Sequence, residues 1–305
     1  MKILITGASG LIGRKCVEIL SKKYSIIAVD KKFINKQKNN NIKYINIDVT
    51  NKKSFFKKIK IKKIDTAIHL AASLGVQNTE SNTLSCLDVN IAGTKNFLDF
   101  CVAKKIKKVL FASSSEVYGN GYKSFIGENF DIMPRSAYGI SKATGEYYFQ
   151  GYSKKYKFNY FILRFFNVYG SQQRKDFVIP KFTEVIKKNK TIHIYGTGKQ
   201  TRAFCHVDDA ARAIKKVLKK GKPNTIYNVG NNLEPTNIIN LAKKMIKLSG
   251  KKIKIRKLPF NKSDRSFLRE IFNRKPNISK LIKDTNYYPT VSLSEGIRRM
   301  FFKNK

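Results

Sequence analysis

This chain of 305 residues is poor in the side chains that build metal or disulfide scaffolds. Its four cysteines, Cys16, Cys86, Cys101 and Cys205, lack CxxC spacing, and its three histidines, His69, His193 and His206, form no ligand cluster. The pattern argues against a structural zinc site and a disulfide framework, and predicts reduced thiols in a cytoplasmic protein without a metal. No segment approaches the roughly 20 uninterrupted apolar residues of a membrane helix, so membrane insertion is not expected. The start, MKILITGASG, runs directly into a motif instead of a cleavable signal. Acidic residues are scarce as well, with 20 Asp and Glu against 62 Lys and Arg, a formal net charge of +42. Such a balance ordinarily suggests nucleic acid or anionic lipid as a partner. Here 50 of the 62 cations are lysine, spread over the whole chain beside abundant Asn and Ile, all residues with A/T-rich codons. A coding bias decorating a solvated surface is the favoured reading, and a charge that gathers anionic ligands or partners is the other. Nucleic acid is not expected as the principal partner.

What is present is a regular alternation. The short apolar, β-branched runs KILIT (2–6), IIAVD (26–30), KYINI (43–47), TAIHL (66–70), VLFAS (109–113) and FILRFF (161–166) are separated by amphipathic stretches such as 11–22, 86–104 and 136–155. This predicts an α/β fold, a Rossmann-type doubly wound parallel sheet with helices on both faces. After residue 167 the pattern is less regular and punctuated by Pro and Gly, which predicts a smaller, interleaved C-terminal substrate lobe. The expected division is a nucleotide-binding domain over 1–167 and a lobe over 168–305. Segments near 200–230, including the run TIYNVG (225–230), return to the first domain.

Between the first strand and first helix lies Gly7-Ala8-Ser9-Gly10-Leu11-Ile12-Gly13. Glycines there permit a tight turn and close backbone approach to a pyrophosphate, while the helix N-terminus supplies N–H donors. Asp30 ends the second strand, 17 residues beyond Gly13, where a carboxylate accepts both ribose hydroxyls of adenosine and repels a 2′-phosphate. NAD is favoured over NADP, with Lys31 and Lys32 weighing against that preference.

The apolar run ending at Ala112 continues as Ser113-Ser114-Ser115-Glu116-Val117-Tyr118-Gly119, a polar cluster at the C-terminal end of a predicted strand. Further on, Ser136 is a helix N-cap candidate, and Tyr138 and Lys142 stand four residues apart on one helical face. An ammonium beside the phenol is expected to lower the tyrosine pKa and make Tyr138 a usable base.

The glycine turn, Asp30, the Ser114 cluster and YxxxK in this order resemble the extended short-chain dehydrogenases/reductases, specifically the NAD-dependent nucleotide-sugar epimerases and dehydratases of the UDP-glucose 4-epimerase type. Further matches are Asp48-Val49, His69-Leu70-Ala71-Ala72, Asn90 in DVNIAGTKN, Arg164-Phe-Phe-Asn167-Val-Tyr-Gly170, and Tyr195-Gly-Thr-Gly-Lys-Gln-Thr-Arg202. The resemblance implies Asp48 and Val49 at the adenine, and Leu70, Ala71 and Ala72 beside the NAD. It puts Lys142 on the nicotinamide ribose, Ser114 and Tyr138 at the reacting hydroxyl, and Ser115 and Glu116 beside the substrate. Asn167 and Arg202 then meet the diphosphate of a nucleotide sugar. A second diphosphate arginine is implied near the C-terminus, where Arg265, Arg269 and Arg274 compete and Arg269 is favoured. A homodimer through helices 86–104 and 136–155, and a place in polysaccharide biosynthesis, follow by the same analogy.

Three outcomes share the opening oxidation to a keto-sugar: return of hydride from the other face, loss of water, or loss of CO2 from a uronic acid. The resembling dehydratases carry an Asp after the Ser/Thr, and Ser115 occupies that place here, which disfavours dehydration. Ser114-Ser115-Glu116 is close to the Thr-Ser-Glu of uronate decarboxylases, yet their Asn-Asp-Gly-Arg segment is missing after Tyr169-Gly170. The expectation is an isomerase acting at C4 of a UDP-hexose, with a decarboxylase or other dehydratase/reductase as the alternative. A basic protein that binds RNA or a partner on this fold without turnover is the reading of a different class, opposed by the intact Ser114, Tyr138 and Lys142.

Overall fold

The structure, a computed structural model, describes every residue except 35, 76–78, 80, 121–124, 263–270 and 303–305. Seven strands form one sheet: β1 (Lys2–Thr6), β2 (Ser25–Asp30), β3 (Ile42–Asn46), β4 (Thr66–His69), β5 (Lys108–Ser114), β6 (Asn159–Phe165) and β7 (Thr225–Val229). They pair in the order β7-β6-β5-β4-β1-β2-β3, and every pairing is parallel. The chain runs outward from β1 to β3, then crosses back to β4 and continues the other way. Such a reversal opens a crevice beyond the C-terminal ends of β1 and β4.

Burial on both faces explains why the strands read as near-continuous apolar runs. Successive side chains of β1 serve opposite layers: Ile3 and Ile5 pack with Val17, Leu20, Ile214 and Val217, while Leu4 packs with Phe97, Phe100 and Phe149. The first layer is built by α1 (Leu11–Ser21) and the later helix Val207–Lys220, the second by α2 (Lys52–Lys58), α3 (Thr83–Ala103) and α4 (Ala137–Tyr156). Segments C-terminal to residue 200 thus complete the sheet and one of its layers.

A separate core forms around Tyr169, Phe182, Ile192, Phe204, Leu241, Met245, Leu293 and Ile297. Among the described residues three small sheets lie outside the main one; Val168–Tyr169 pairs parallel with Cys205–His206, and the other two edge this lobe. In one, Ile192–Tyr195 pairs parallel with Ile255–Leu258; in the other, Thr201–Arg202 lies between Thr236–Asn237 and Asn273–Arg274.

Candidate active site

A cavity of about 550 Å³ lies at the C-terminal ends of the strands and is lined from both lobes. Its floor at one end is the glycine turn. Gly7 has φ +69°, and a Cβ there would stand 2.5 Å from the backbone N of Ala71; a Cβ on Gly13 would stand 2.0 Å from the Gly7 carbonyl oxygen. These two positions accept only glycine, because the turn presses against the start of α1 and the segment after β4. Gly10, Leu11, Ile12 and Gly13 line the cavity at the N-terminus of α1, where Gly10 caps without a side-chain bond. That cradle fits a pyrophosphate.

Asp30 braces the turn from β2, its Oδ2 accepting from Ser9 N at 2.9 Å and its Oδ1 from Lys31 N at 2.7 Å. Lys31 points away to Asp48, Nζ to Oδ2 3.0 Å. Against the effect of partial burial, the Thr50 N–H and hydroxyl together with Lys31 hold the Asp48 carboxyl below its usual range. Val49 is buried against Gly93, and Leu70 and Ala72 line the cavity. His69 is buried, bonded through Nδ1 to Thr6 Oγ1 (2.7 Å) and through Nε2 to Thr94 Oγ1 (3.2 Å), and burial keeps it neutral. Neither it nor Asn90 lines the cavity; Asn90 ties Ser73 N (2.7 Å) to Ser141 Oγ (2.9 Å).

At the other end, β5 delivers Ser114 and a single 3₁₀ turn, Ser115–Tyr118, carries Glu116. Ser114 Oγ accepts from Glu116 N at 3.1 Å, and Ser114 works against the rise of the Tyr138 phenol. Ser136 is the N-cap of α4: its Oγ accepts from Gly139 N (3.0 Å) and donates to Glu116 Oε2 (2.7 Å). The same hydroxyl thus starts the helix that carries Tyr138 and Lys142 and fixes the carboxylate below Ser114. Lys142 is 3% exposed, donates to the Ala112 carbonyl at 2.8 Å and lies over the rings of Phe111 (4.8 Å) and Tyr138 (5.7 Å).

One electrostatic expectation is corrected. Burial first, and the Glu116 carboxylate second, push the Tyr138 phenol up. Burial drives Lys142 down to about 7, against the opposing influence of Cys86 and Glu146. Desolvation therefore outweighs the help an ammonium gives a phenolate, and it removes part of the ammonium's own charge.

Asn167 adopts φ +40°, donates to the Ala203 carbonyl at 3.3 Å, and lines the cavity with Arg202. Arg269 and Arg265 lie outside the described residues. Arg274 is the register partner of Arg202 in the small sheet and lines the same cavity, 3.8 Å from Glu116 Oε1.

Sequence reasoning overlooked what lies behind this wall. Glu146, one turn after Lys142, is 0% exposed and takes Arg164 in a two-point pair, Nη2–Oε2 2.7 Å and Nε–Oε1 2.9 Å, while Ser113 Oγ donates to Oε1 at 2.5 Å. The guanidinium also reaches the Glu128 carbonyl (3.2 Å) and sits over the Tyr118 ring (4.7 Å). The signal was an arginine inside an otherwise apolar strand, which requires a buried counter-charge.

Comparison with known proteins follows this geometry. The model of the NAD dependent epimerase/dehydratase family matches residues 3–230. A dTDP-D-glucose 4,6-dehydratase of Dictyostelium discoideum is 34% identical over 81% of the chain, which spans 62% of that relative's length. A UDP-N-acetyl-alpha-D-glucosaminuronate decarboxylase of Bacillus cytotoxicus is 32% identical, covering 97% of this chain and 95% of its own. The crystal structure of UDP-glucuronic acid 4-epimerase from Bacillus cereus, in complex with UDP-glucuronic acid and NAD, superposes with a TM-score of 0.87. Its sequence is 30% identical, and the match covers 99% of this chain and 98% of that one.

Proposed function

The chain belongs to the NAD dependent epimerase/dehydratase family, and within it we propose that it is a nucleotide-sugar epimerase inverting C4 of a UDP-hexose through a transient keto-sugar. Its cofactor is NAD. The observation that carries the choice of reaction is the Ser114-Ser115-Glu116 corner. Ser115, a hydroxyl 2% exposed, stands where an eliminating enzyme needs a proton-donating acid, and the Glu116 carboxylate is engaged by Ser136. No acid is thereby poised beside a leaving hydroxyl.

NAD, when bound, supplies the acceptor and then the donor of the hydride at C4, together with the positive charge that favours a phenolate. Tyr138 takes the proton of the 4-hydroxyl and returns it. Burial and Glu116 favour the neutral phenol, so the positive charge that NAD would bring is what favours the phenolate. Ser114 keeps the sugar oxygen in line, with Glu116 N fixing the Ser114 oxygen from behind. Lys142 holds its place through the Ala112 carbonyl and meets the cofactor ribose. The adenosine side takes Gly7, Gly10–Gly13, Asp30, Asp48, Val49 and Leu70–Ala72. Asn167, Arg202 and Arg274 take the diphosphate, because planar guanidinium forks match phosphate oxygens.

The decarboxylase is the second reading, favoured by the Ser-Glu pair at 115–116 and by the similarity to the Bacillus cytotoxicus enzyme. Residues 1–167 with 225–229 serve the cofactor and the remainder mainly the sugar nucleotide. The working unit in this reading is a cytoplasmic homodimer through α3 and α4, whose outer faces carry the exposed Leu84, Ile140 and Tyr147. The test is incubation with UDP-, GDP-, dTDP- and CDP-sugars followed by NMR and mass spectrometry. An epimer of unchanged mass is expected, formed several-fold more slowly by Glu116→Gln. Loss of water, or CO2 released from UDP-glucuronate and abolished in Glu116→Gln, would overturn it.

A further inference from the structure

In a parallel sheet every helix-to-strand connection lies at the same end, opposite the ligand crevice. Five such loops are described here: 22–24, 59–65, 104–107, 157–158 and 221–224. Ten of their twenty residues are lysine, against 50 in 305 for the chain, and none is arginine. A coding bias acting evenly gives about a sixth, so the lysines are concentrated on this end three-fold. Nine of the ten are exposed, and among the described residues only Lys222 has a carboxylate partner, Asp284 at 2.8 Å. The single acid in these loops, Asp65, accepts from Lys2 N at 2.7 Å.

Helix C-termini attract cations, which accounts for Lys22, Lys104 and Lys157 at the C-caps of α1, α3 and α4. It does not account for Lys62 and Lys63, which lie four and five residues past the end of α2 in a loop that leads into β4. These loops are also short, two to seven residues long. Apolar groups stand among the charges: Tyr156 is 41% exposed with Lys155 Nζ 5.4 Å from its ring centroid, and Met1 is 52% exposed at the start of β1.

We propose that this lysine end docks the protein on an anionic lipid bilayer, leaving the mouth of the cavity turned away from the membrane. Bilayer is favoured over nucleic acid for three reasons. Lysines are point charges suited to a diffuse negative surface, whereas phosphate-by-phosphate reading draws on arginine forks. Connections of two to seven residues are too short to build the walls of a groove for a duplex or strand. An exposed tyrosine and methionine beside lysines match the interfacial zone, where amphipathic side chains bury their apolar parts and keep their charges in water.

The test is sedimentation of the full chain with phosphatidylcholine vesicles and with vesicles containing about a third phosphatidylglycerol, at low and high salt. Association with the anionic vesicles alone, reversed by salt, is expected. At about five-fold per surface lysine, Lys62→Gln/Lys63→Gln/Lys105→Gln/Lys107→Gln should weaken it on the order of 600-fold while thermal unfolding is unchanged. Lys243→Gln/Lys247→Gln/Lys252→Gln/Lys254→Gln, with the same charge lost from the other lobe, should keep it. Equal loss in both quadruple variants, no binding to anionic vesicles, or tighter binding to a short RNA or DNA duplex through the same four lysines would each overturn the proposal.

Discussion

Replacing Glu146 by Gln tests whether the buried ion pair behind the catalytic wall holds that wall in place. The two side chains are 0% and 2% exposed, so neither charge is relieved by water. The carboxylate receives two guanidinium N–H groups and the Ser113 hydroxyl. An amide of the same shape puts one NH2 against a donor and leaves Arg164 as an uncompensated buried cation. Breaking a buried pair in this way costs ~3–5 kcal/mol. At ~2.1 cal/mol/K per residue, a chain of 305 residues unfolds with an entropy of about 0.6 kcal/mol/K, so the midpoint should fall by about 5–8 °C.

Thermal unfolding of the cofactor-free protein by circular dichroism and calorimetry reads this directly. Glu146→Leu/Arg164→Met removes both charges and should recover most of the loss, since an apolar pair of similar volume costs little or nothing relative to the ion pair. A fall below about 2 °C in Glu146→Gln would refute the reasoning. So would a double variant as unstable as the single one, because the damage would then lie in packing and not in an orphaned charge.

Tyr138→Phe should keep the fold and NAD binding, measured by calorimetry, and lower turnover by several orders of magnitude; near-normal rates would remove Tyr138 from the proton path. Because burial depresses Lys142 to about 7, the unfolded chain holds a proton between about pH 7 and 10 that the folded chain does not. Stability should therefore rise with pH across that window, and Lys142→Met should flatten the slope in denaturant melts taken at each pH. Arg274→Lys should raise KM for the nucleotide sugar about ten-fold or more with NAD affinity unchanged, since a point charge cannot replace a planar fork; an unchanged KM would return the diphosphate contact to another arginine.

The sheet was legible in the sequence because strands buried on both faces must be continuously apolar, and the expected runs fall within a residue or two of β1 to β6. The helix bearing Tyr138 was legible for a local reason, the Ser136 cap. What was hidden depends on distance along the chain. Arg202 and Arg274 become neighbours through two-residue strands more than seventy positions apart, too short to leave a periodic signal. The rise of the Tyr138 phenol was hidden for another reason: spacing along a helix places Lys142 nearby, but only the packed structure reveals how deeply both are buried.

The distribution of the two cations shows where charge geometry matters. Among the described residues, five arginines, Arg14, Arg135, Arg174, Arg202 and Arg274, line the cavity, against two lysines, Lys142 and Lys181, although the chain has twelve arginines and fifty lysines. A drift toward lysine codons would erase arginine wherever a simple positive charge suffices. Arginine is instead concentrated around the site that binds a diphosphate in the proposed reaction, where two N–H groups must meet two oxygens at once. The loops of the opposite end hold ten lysines and no arginine. A solvated surface and a diffuse anionic partner both tolerate lysine in place of arginine, and the helix C-termini account for some of these lysines but not for Lys62 and Lys63, which a partner would explain.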